Sequence, residues 1–256
     1  MSEQNTSVAG PTTVAEVAEP VAAATDKYIV VGFICAMKSE AKPFLEAMTD
    51  RRQIASRPGR VFVGSINGKL VVLSICGVGT AKAAAATEDL LGLYQLPCLI
   101  MSGTAGGVDE SLQINDTVVA TESVFHDVSA AELFERHPSL DSAVFASDSL
   151  LLAKTEAALK SQHYEQTVVF GRVASGDAFM NKKNVGSIIA NANPLSVDME
   201  TAAVALVCQL HSLPFIAFRS ITDTQAKPGM LTFALNLRTA ARRSFMVAEL
   251  LLNELR

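Results

Sequence analysis

Three carboxylates stand where acid–base chemistry is possible: Glu40, Glu200 and Asp223. Glu200 belongs to Leu195-Ser196-Val197-Asp198-Met199-Glu200-Thr201-Ala202, which reads as a short buried strand breaking into a helix start. Acidic residues suit a helix N-terminus, because its first amides are unpaired and its dipole favours negative charge. That accounts for Asp198 as a structural cap. Glu200 asks for more, since a buried carboxylate needs a partner and a polar ligand would supply one. Taken singly, Glu40 is the solvated side of a first helical turn, Asp223 a turn or cap residue, and Arg219 a core charge paired with a carboxylate. Yet all stand at the ends of apolar strand-like runs, where open α/β sheets bind their ligands. Two carboxylates on opposite sides of a bound sugar divide the labour of glycosidic cleavage, one activating water and one protonating the leaving group.

Other chemistries find less support. Gly77-Val78-Gly79 follows a strand, but Lys82 stands where a dinucleotide-binding fingerprint needs its third glycine. There is no phosphate-loop lysine motif. Cys35, Cys76, Cys98 and Cys208 sit singly in apolar runs without metal-ligand spacing, and read as buried free thiols of a reducing compartment. His126, His137, His163 and His211 are scattered. Only His126-Asp127 draws notice, as a pair able to orient a loop at a pocket mouth. The chemistry needs no metal and no cofactor.

The elements that must position these residues alternate along the chain. Buried strands are expected over Tyr28 to Ala36, Pro97 to Thr104 and Pro214 to Thr222, and further strands over Asp116 to Val124 and Thr167 to Ser175. Arg60 to Ile66 and Lys69 to Cys76 form a hairpin at Asn67-Gly68. Helices are expected over Lys38 to Met48, Thr80 to Tyr94, Leu150 to Ser161, about Lys183 to Asn191, and Phe233 to Leu255, with an irregular segment from Phe125 to about Ser147. The alternation implies an α/β fold: a single domain with a mixed central β-sheet flanked by helices on both faces.

With 256 residues, 49% hydrophobic and 18% charged, the chain can bury a large core. A net charge of −5 without basic runs argues against nucleic acid or an anionic membrane surface as partner. No apolar run approaches the ~18 residues of a membrane span. Residues 1 to 26 lack any basic residue, are broken by Pro11 and Pro20, and carry Glu3, Glu16 and Glu19. They read as a disordered tail ahead of a domain over 27–256, and as neither a secretory nor a mitochondrial leader, so a cytoplasmic location is expected.

Five ordered stretches carry a resemblance: Val31 to Glu40 (VGFICAMKSE), Ser102 to Gly107 (SGTAGG), Ser175 to Phe179 (SGDAF), Val197 to Ala205 (VDMETAAVA) and Arg219 to Asp223 (RSITD). Together they resemble the 5′-methylthioadenosine/S-adenosylhomocysteine nucleosidases of the nucleoside phosphorylase superfamily, from Tyr28 to the C-terminus. The resemblance implies hydrolysis of the bond between adenine and C1′ of a 5′-thio-substituted ribose, with an adenine nucleoside as small-molecule partner and a homodimer as assembly. By motif, Glu40 would deprotonate water, Asp223 would protonate adenine N7, Glu200 would hold the ribose hydroxyls, and Arg219 would orient Glu40 near the water. Met199 would lie against the sugar, Phe179 would stack on adenine, the Met180 backbone would read its edge, and Thr222 would position Asp223. Met37, Val78, Thr104, Gly106 and Phe233 would complete the wall. Thr104 replaces the serine common in bacterial members, Asp198 replaces a glutamate, and Val128 to Asp141 replaces a Gly/Tyr-rich loop that helps form the 5′ pocket.

Two rivals stay open. A phosphorolytic phosphorylase on the same fold would place arginines around phosphate, whereas Met101 occupies the position where many phosphorylases carry one. A non-catalytic nucleoside-binding protein would keep the fold without needing both Glu40 and Asp223.

Overall fold

The apolar run VGFIC forms β1 (Val31–Cys35), buried at every position, as a strand covered on both faces requires. The computed structural model describes residues 30–181 and 183–255; the tail expected over 1–26 lies outside the described residues. After β1 come α1 (Lys38–Ala47), β2 (Thr49–Ile54), β3 (Arg60–Ile66), β4 (Lys69–Ile75), α2 (Thr80–Leu93), β5 (Leu99–Gly107) and β6 (Thr117–Phe125). The chain continues through α3 (Ala130–Arg136), β7 (Phe145–Ala146), α4 (Ser149–Ser161), β8 (Val168–Ser175), α5 (Val185–Ala192), β9 (Ser196–Asp198), α6 (Thr201–Leu210), β10 (Phe215–Thr224) and α7 (Met230–Glu254). Asn67 and Gly68 both adopt positive φ, 50° and 76°, as the primed turn between β3 and β4 needs.

The sheet is mixed, and part of it closes on itself. β1 pairs in parallel with β4 and β5, and the β4–β3–β2 meander extends one side. On the other side β5 pairs with both β10 and β9, β10 with β6, β6 with β8, and β8 with β9. Five strands thus form a closed circuit, which removes the open edges of that half. Closure needs β9 to run antiparallel to β5 while parallel to β8, a pairing that apolar patterning alone does not encode.

Three local expectations change. β2 was not anticipated, because TDRRQI is an exposed edge strand with no apolar alternation to announce it. The segment expected to be irregular from Phe125 to Ser147 contains α3, opened by a Ser129/Glu132 capping box, and the short β7. β5 and β10 also run further than their apolar cores, through Gly106-Gly107 and through Asp223-Thr224.

Helices cover both faces. α6 buries Thr201 through Cys208 without interruption and shares one core with α2. On the opposite face Phe44 of α1 meets Phe33 of β1 and Phe245 of α7, with ring centroids 4.9 and 4.7 Å apart. Each such aromatic pair adds about 0.5–1.5 kcal/mol beyond burial. Phe44 lies one turn beyond Glu40, so this packing also fixes the start of α1. All four cysteines are buried and unbridged, with Cys76 pushed up to about 12 by burial, which removes it as a nucleophile.

Candidate active site

The strand ends converge on one cavity of about 210 Å³. Met37, Glu40, Val78, Thr104, Gly106, Phe179, Met180, Met199, Glu200, Arg219, Thr222, Asp223 and Phe233 all line it. The thirteen come from seven separate stretches of chain. Ala36, Ala105, Ala178, Val197, Asp198 and Met230 complete the wall. Of these, Asp198 is the one with chemistry, and its sequence signal was the doubled acid around Met199.

Glu40 is not on the solvated side of its helix; it is 1% exposed. As the third residue of α1 it reaches back, and its Oε2 accepts the amides of Ala36 and Met37 at 3.0 and 2.9 Å. Its Oε1 accepts both the amide and the hydroxyl of Thr104, each at 2.8 Å. Four donors from two elements hold one carboxylate, in a number its two oxygens can accept. Glycine at 103 makes the approach possible: a Cβ there would lie 2.5 Å from Arg219 Nη1 and 2.8 Å from Glu40 Oε1. Ser244 of α7 pins this point, accepting the Gly103 amide at 2.9 Å and donating to Phe218 carbonyl at 2.8 Å.

Arg219 enters from β10, 1% exposed, amid three carboxylates. Its Nε lies 2.8 Å from Asp198 Oδ2 and its Nη2 donates to Glu200 Oε2 at 3.0 Å. The guanidinium expected to orient Glu40 is therefore tied to Asp198 and Glu200. Its Nη1, beside Glu40 across Gly103, has no hydrogen-bond partner among the described residues. Burial pushes Arg219 down, but Asp198, Glu40 and Glu200 together more than offset it, and the cation is held firmly.

Asp198 does more than cap. Its Oδ1 accepts the amides of Glu200 and Thr201, both at 3.1 Å, and the Ser175 hydroxyl at 2.5 Å. The Thr201 hydroxyl donates to the other carboxylate oxygen, Asp198 Oδ2. One side chain thereby starts α6, joins β8 to β9 and seats Arg219. Glu200 is 3% exposed, and its other oxygen accepts the Gly79 amide at 3.0 Å. Burial raises Glu200 to about 7, with Asp198 and Glu40 adding repulsion and Arg219 opposing.

Asp223 sits past a β-bulge: Ile221 pairs with Ala105, yet Asp223 pairs with Gly106, leaving Thr222 as the extra residue. A bulge re-aims side chains, and here both Thr222 and Asp223 reach the cavity. Thr222 Oγ donates to Asp223 Oδ1 at 3.0 Å, with the Ala105 carbonyl as a second acceptor at 3.2 Å. Asp223 Oδ2 is buried and has no partner among the described residues. Burial raises this carboxyl above its ordinary range, and the Thr222 hydroxyl and Gly229 amide oppose only in part. The cavity thus holds one carboxylate gripped by four donors and one carboxyl biased toward keeping its proton, two contrasting environments of the kind acid–base division requires. Above them Phe179, 38% exposed, meets Phe233 edge-on with centroids 6.1 Å apart.

The family model described as "Phosphorylase superfamily" matches residues 30–253. The chain belongs to that superfamily. Among its members, the 5′-methylthioadenosine/S-adenosylhomocysteine nucleosidase of a Marinomonas species is 35% identical over 228 residues, covering 87% of this chain and 98% of its own. The crystal structure of the Neisseria meningitidis nucleosidase of the same name, in complex with methylthio-immucillin-A, superposes with a TM-score of 0.81 at 29% identity, covering 88% of this chain and 99% of that one. The Colwellia psychrerythraea nucleosidase in complex with adenine gives a TM-score of 0.81 at 30% identity, covering 90% and 96%. The family resemblance carried by the five motifs holds, and so does the α/β fold it implied.

Proposed function

We propose that this phosphorylase-superfamily protein hydrolyses the N-glycosidic bond of 5′-methylthioadenosine, S-adenosylhomocysteine or both, releasing adenine and the 5′-thio-ribose. The carrying observation is the contrast between two buried carboxyl groups in one cavity: Glu40 with four donors and Asp223 with one oxygen unpartnered. In this reading Glu40 takes the proton of an attacking water, with the Arg219 Nη1–H beside it to orient that water. Asp223, held protonated by burial, gives its proton to adenine N7, so the base leaves neutral. Glu200 accepts the ribose hydroxyls and Met199 lies against the sugar. Phe179 stacks on adenine with Phe233 at its edge, the Met180 backbone reads the base, Thr222 steadies Asp223, and Met37, Val78, Thr104 and Gly106 form the wall. The names and ligands of the nucleosidase relatives support the substrate class.

Phosphorolysis is disfavoured by charge. Among the described residues lining the cavity Arg219 is the one cation, and two carboxylates already engage it. A phosphate beside Glu40 would meet repulsion rather than a site. A homodimer belongs to the proposal: Met230, Leu231 and Leu235 are exposed where α7 begins, beside the cavity. Among the described residues no helix is long and apolar enough to cross a membrane, which accords with the cytoplasmic location proposed.

Incubation with methylthioadenosine, S-adenosylhomocysteine, adenosine and inosine, with and without phosphate, followed by product chromatography, tests the reading. Adenine and free thio-ribose without phosphate are expected. Phosphate-dependent sugar phosphate, or no adenine from any thioether, overturns it. Sedimentation tests the dimer.

A further inference from the structure

The loop Gly176 to Met180 brings Phe179 and Met180 to the cavity, yet Asp177, Ala178 and Phe179 are all exposed. Packing holds this stretch only through the edge contact of Phe179 with Phe233; directed hydrogen bonds do the rest, among them Asn181 Nδ2 and Asn184 Nδ2 to the Phe179 carbonyl, each at 3.1 Å. The Asp177 amide donates to Asp127 Oδ2 at 2.8 Å, from the end of β6. The Asp177 carboxylate then accepts from the first residue of α2: the Thr80 amide at 2.8 Å on Oδ1 and the Thr80 hydroxyl at 2.7 Å on Oδ2. The α2 N-cap, Gly79, supplies no side-chain cap of its own. Asp177, 97 residues away in sequence, takes that role.

The neighbouring amide closes the connection. Gly79 N–H donates to Glu200 Oε1 at 3.0 Å, so one helix end holds both the loop bearing Phe179 and the carboxylate at the sugar end of the cavity. Glycine suits position 79 because its φ is +111°; a Cβ would lie 3.2 Å from Asp177 Oδ1, a crowding that this exposed side chain can relieve. On the far side Gly176 lies so close to His126 and Asp127 that a Cβ would fall 2.5 Å from His126 Nε2 and 2.6 Å from Asp127 Oδ2. The His126-Asp127 pair therefore sets the loop's base, and Thr80 sets its tip.

We infer that Asp177 is a positioning residue: with Asp127 and Thr80 it latches the Phe179 loop to the α2 end that also carries Glu200, and so fixes the distance between base platform and sugar clamp. This rests on the nucleosidase reading for the roles of Phe179 and Glu200. The latch is solvent-exposed, so releasing it loosens ligand binding while leaving the fold intact. Adenine is the probe that separates the two claims, because its binding needs the platform but no hydrolysis.

Calorimetric titration with adenine and initial-rate kinetics with methylthioadenosine are run on the full chain and on Asp177→Ala, Thr80→Val and the double variant. Loss of a charge-assisted contact is expected to weaken adenine and raise KM by about tenfold in Asp177→Ala, and by less in Thr80→Val, which keeps the Thr80 amide bond to Asp177. kcat and the melting midpoint stay near wild type, the double variant is no worse than the worse single one, and Thr80→Ser restores binding. Wild-type adenine affinity in the single variants, additive losses in the double, or a fall in kcat with KM unchanged overturns the latch. If the wild type binds adenine but cleaves no thioether, the hydrolase reading fails and adenine affinities alone decide the latch. If adenine does not bind at all, both fall.

Discussion

The floor of the cavity and its rim are built on opposite principles. The floor holds Glu40, Asp198, Glu200 and Arg219, all buried, each fixed by strand-borne amides, hydroxyls or its neighbours' charges. The rim holds Phe179, Val78 and Met230, exposed, on a loop, a turn and a helix start. A buried charge cluster has few alternative arrangements, because any group that loses its partner in low dielectric becomes costly. A rim held by exposed hydrogen bonds is cheap to open and close. The stiffer hold thus sits at the groups proposed to transfer protons, and the weaker, exposed hold where a ligand would enter.

The sharpest break of this contrast is at the floor. Asp223→Asn or Glu40→Gln is expected to lower adenine release from methylthioadenosine by about 10²–10⁴-fold. Asp223→Asn should still bind adenine by calorimetry, since it keeps the shape and loses only the proton. Substantial turnover in Glu40→Gln would remove it as the base.

Next in size comes the cation. Arg219→Met leaves three buried carboxylates without their counter-charge and is expected to cost about 3–5 kcal/mol in urea unfolding. A loss under 1 kcal/mol would mean that the floor is not held by charge. At the rim the prediction reverses. Phe179→Ala should weaken adenine about tenfold through lost base–aromatic stacking, while stability stays within about 0.5 kcal/mol. A rim substitution that unfolds the protein would erase the contrast.

A pH effect completes the set. Glu200 is raised from an ordinary 4.5 to about 7, chiefly by burial. Between those values the folded state binds more protons than the unfolded chain, so Glu200 contributes stability that is fully present below 4.5 and lost as pH rises through about 7. Wild type should therefore lose more stability from pH 5 to pH 8 than Glu200→Gln. Equal slopes in urea unfolding at the two pH values would contradict the assignment. On the proposed role of Glu200 as ribose clamp, KM for methylthioadenosine should change a few-fold across the same interval, because ionisation alters how its oxygens would accept the ribose hydroxyls.

Much of this was legible in the chain because it is local. Continuous apolar runs announce β1, β5 and β10, since a strand buried on both faces leaves no polar alternation, while apolar β-branched stretches mark the partly exposed β6 and β8. The Asn67-Gly68 turn and the Ala-rich helices α2 and α6 follow from backbone preference. Twelve of the thirteen cavity residues were reachable because they stand at strand ends or in short motifs; Phe233, on α7, was reached only through the family resemblance. The misses differ in kind, one long-range and one a local signal passed over. β2 is a polar edge strand formed by pairing with β3, and α3 is a short helix carried by its capping box.

By itself the sequence determined an α/β fold, a large core with unpaired thiols, and the identity of the groups that could act as acid, base and clamp, because residue type and spacing carry that information. Only the tertiary structure decided their states. Glu40 turned from a solvated helix residue into a four-donor carboxylate because Thr104, 64 residues on, comes to meet it. Asp198 became the seat of Arg219 rather than only a cap, and Asp177 became a latch through Thr80. Charge, burial and hydrogen bonding depend on what lies opposite in space, and the closed circuit of strands sets what lies opposite.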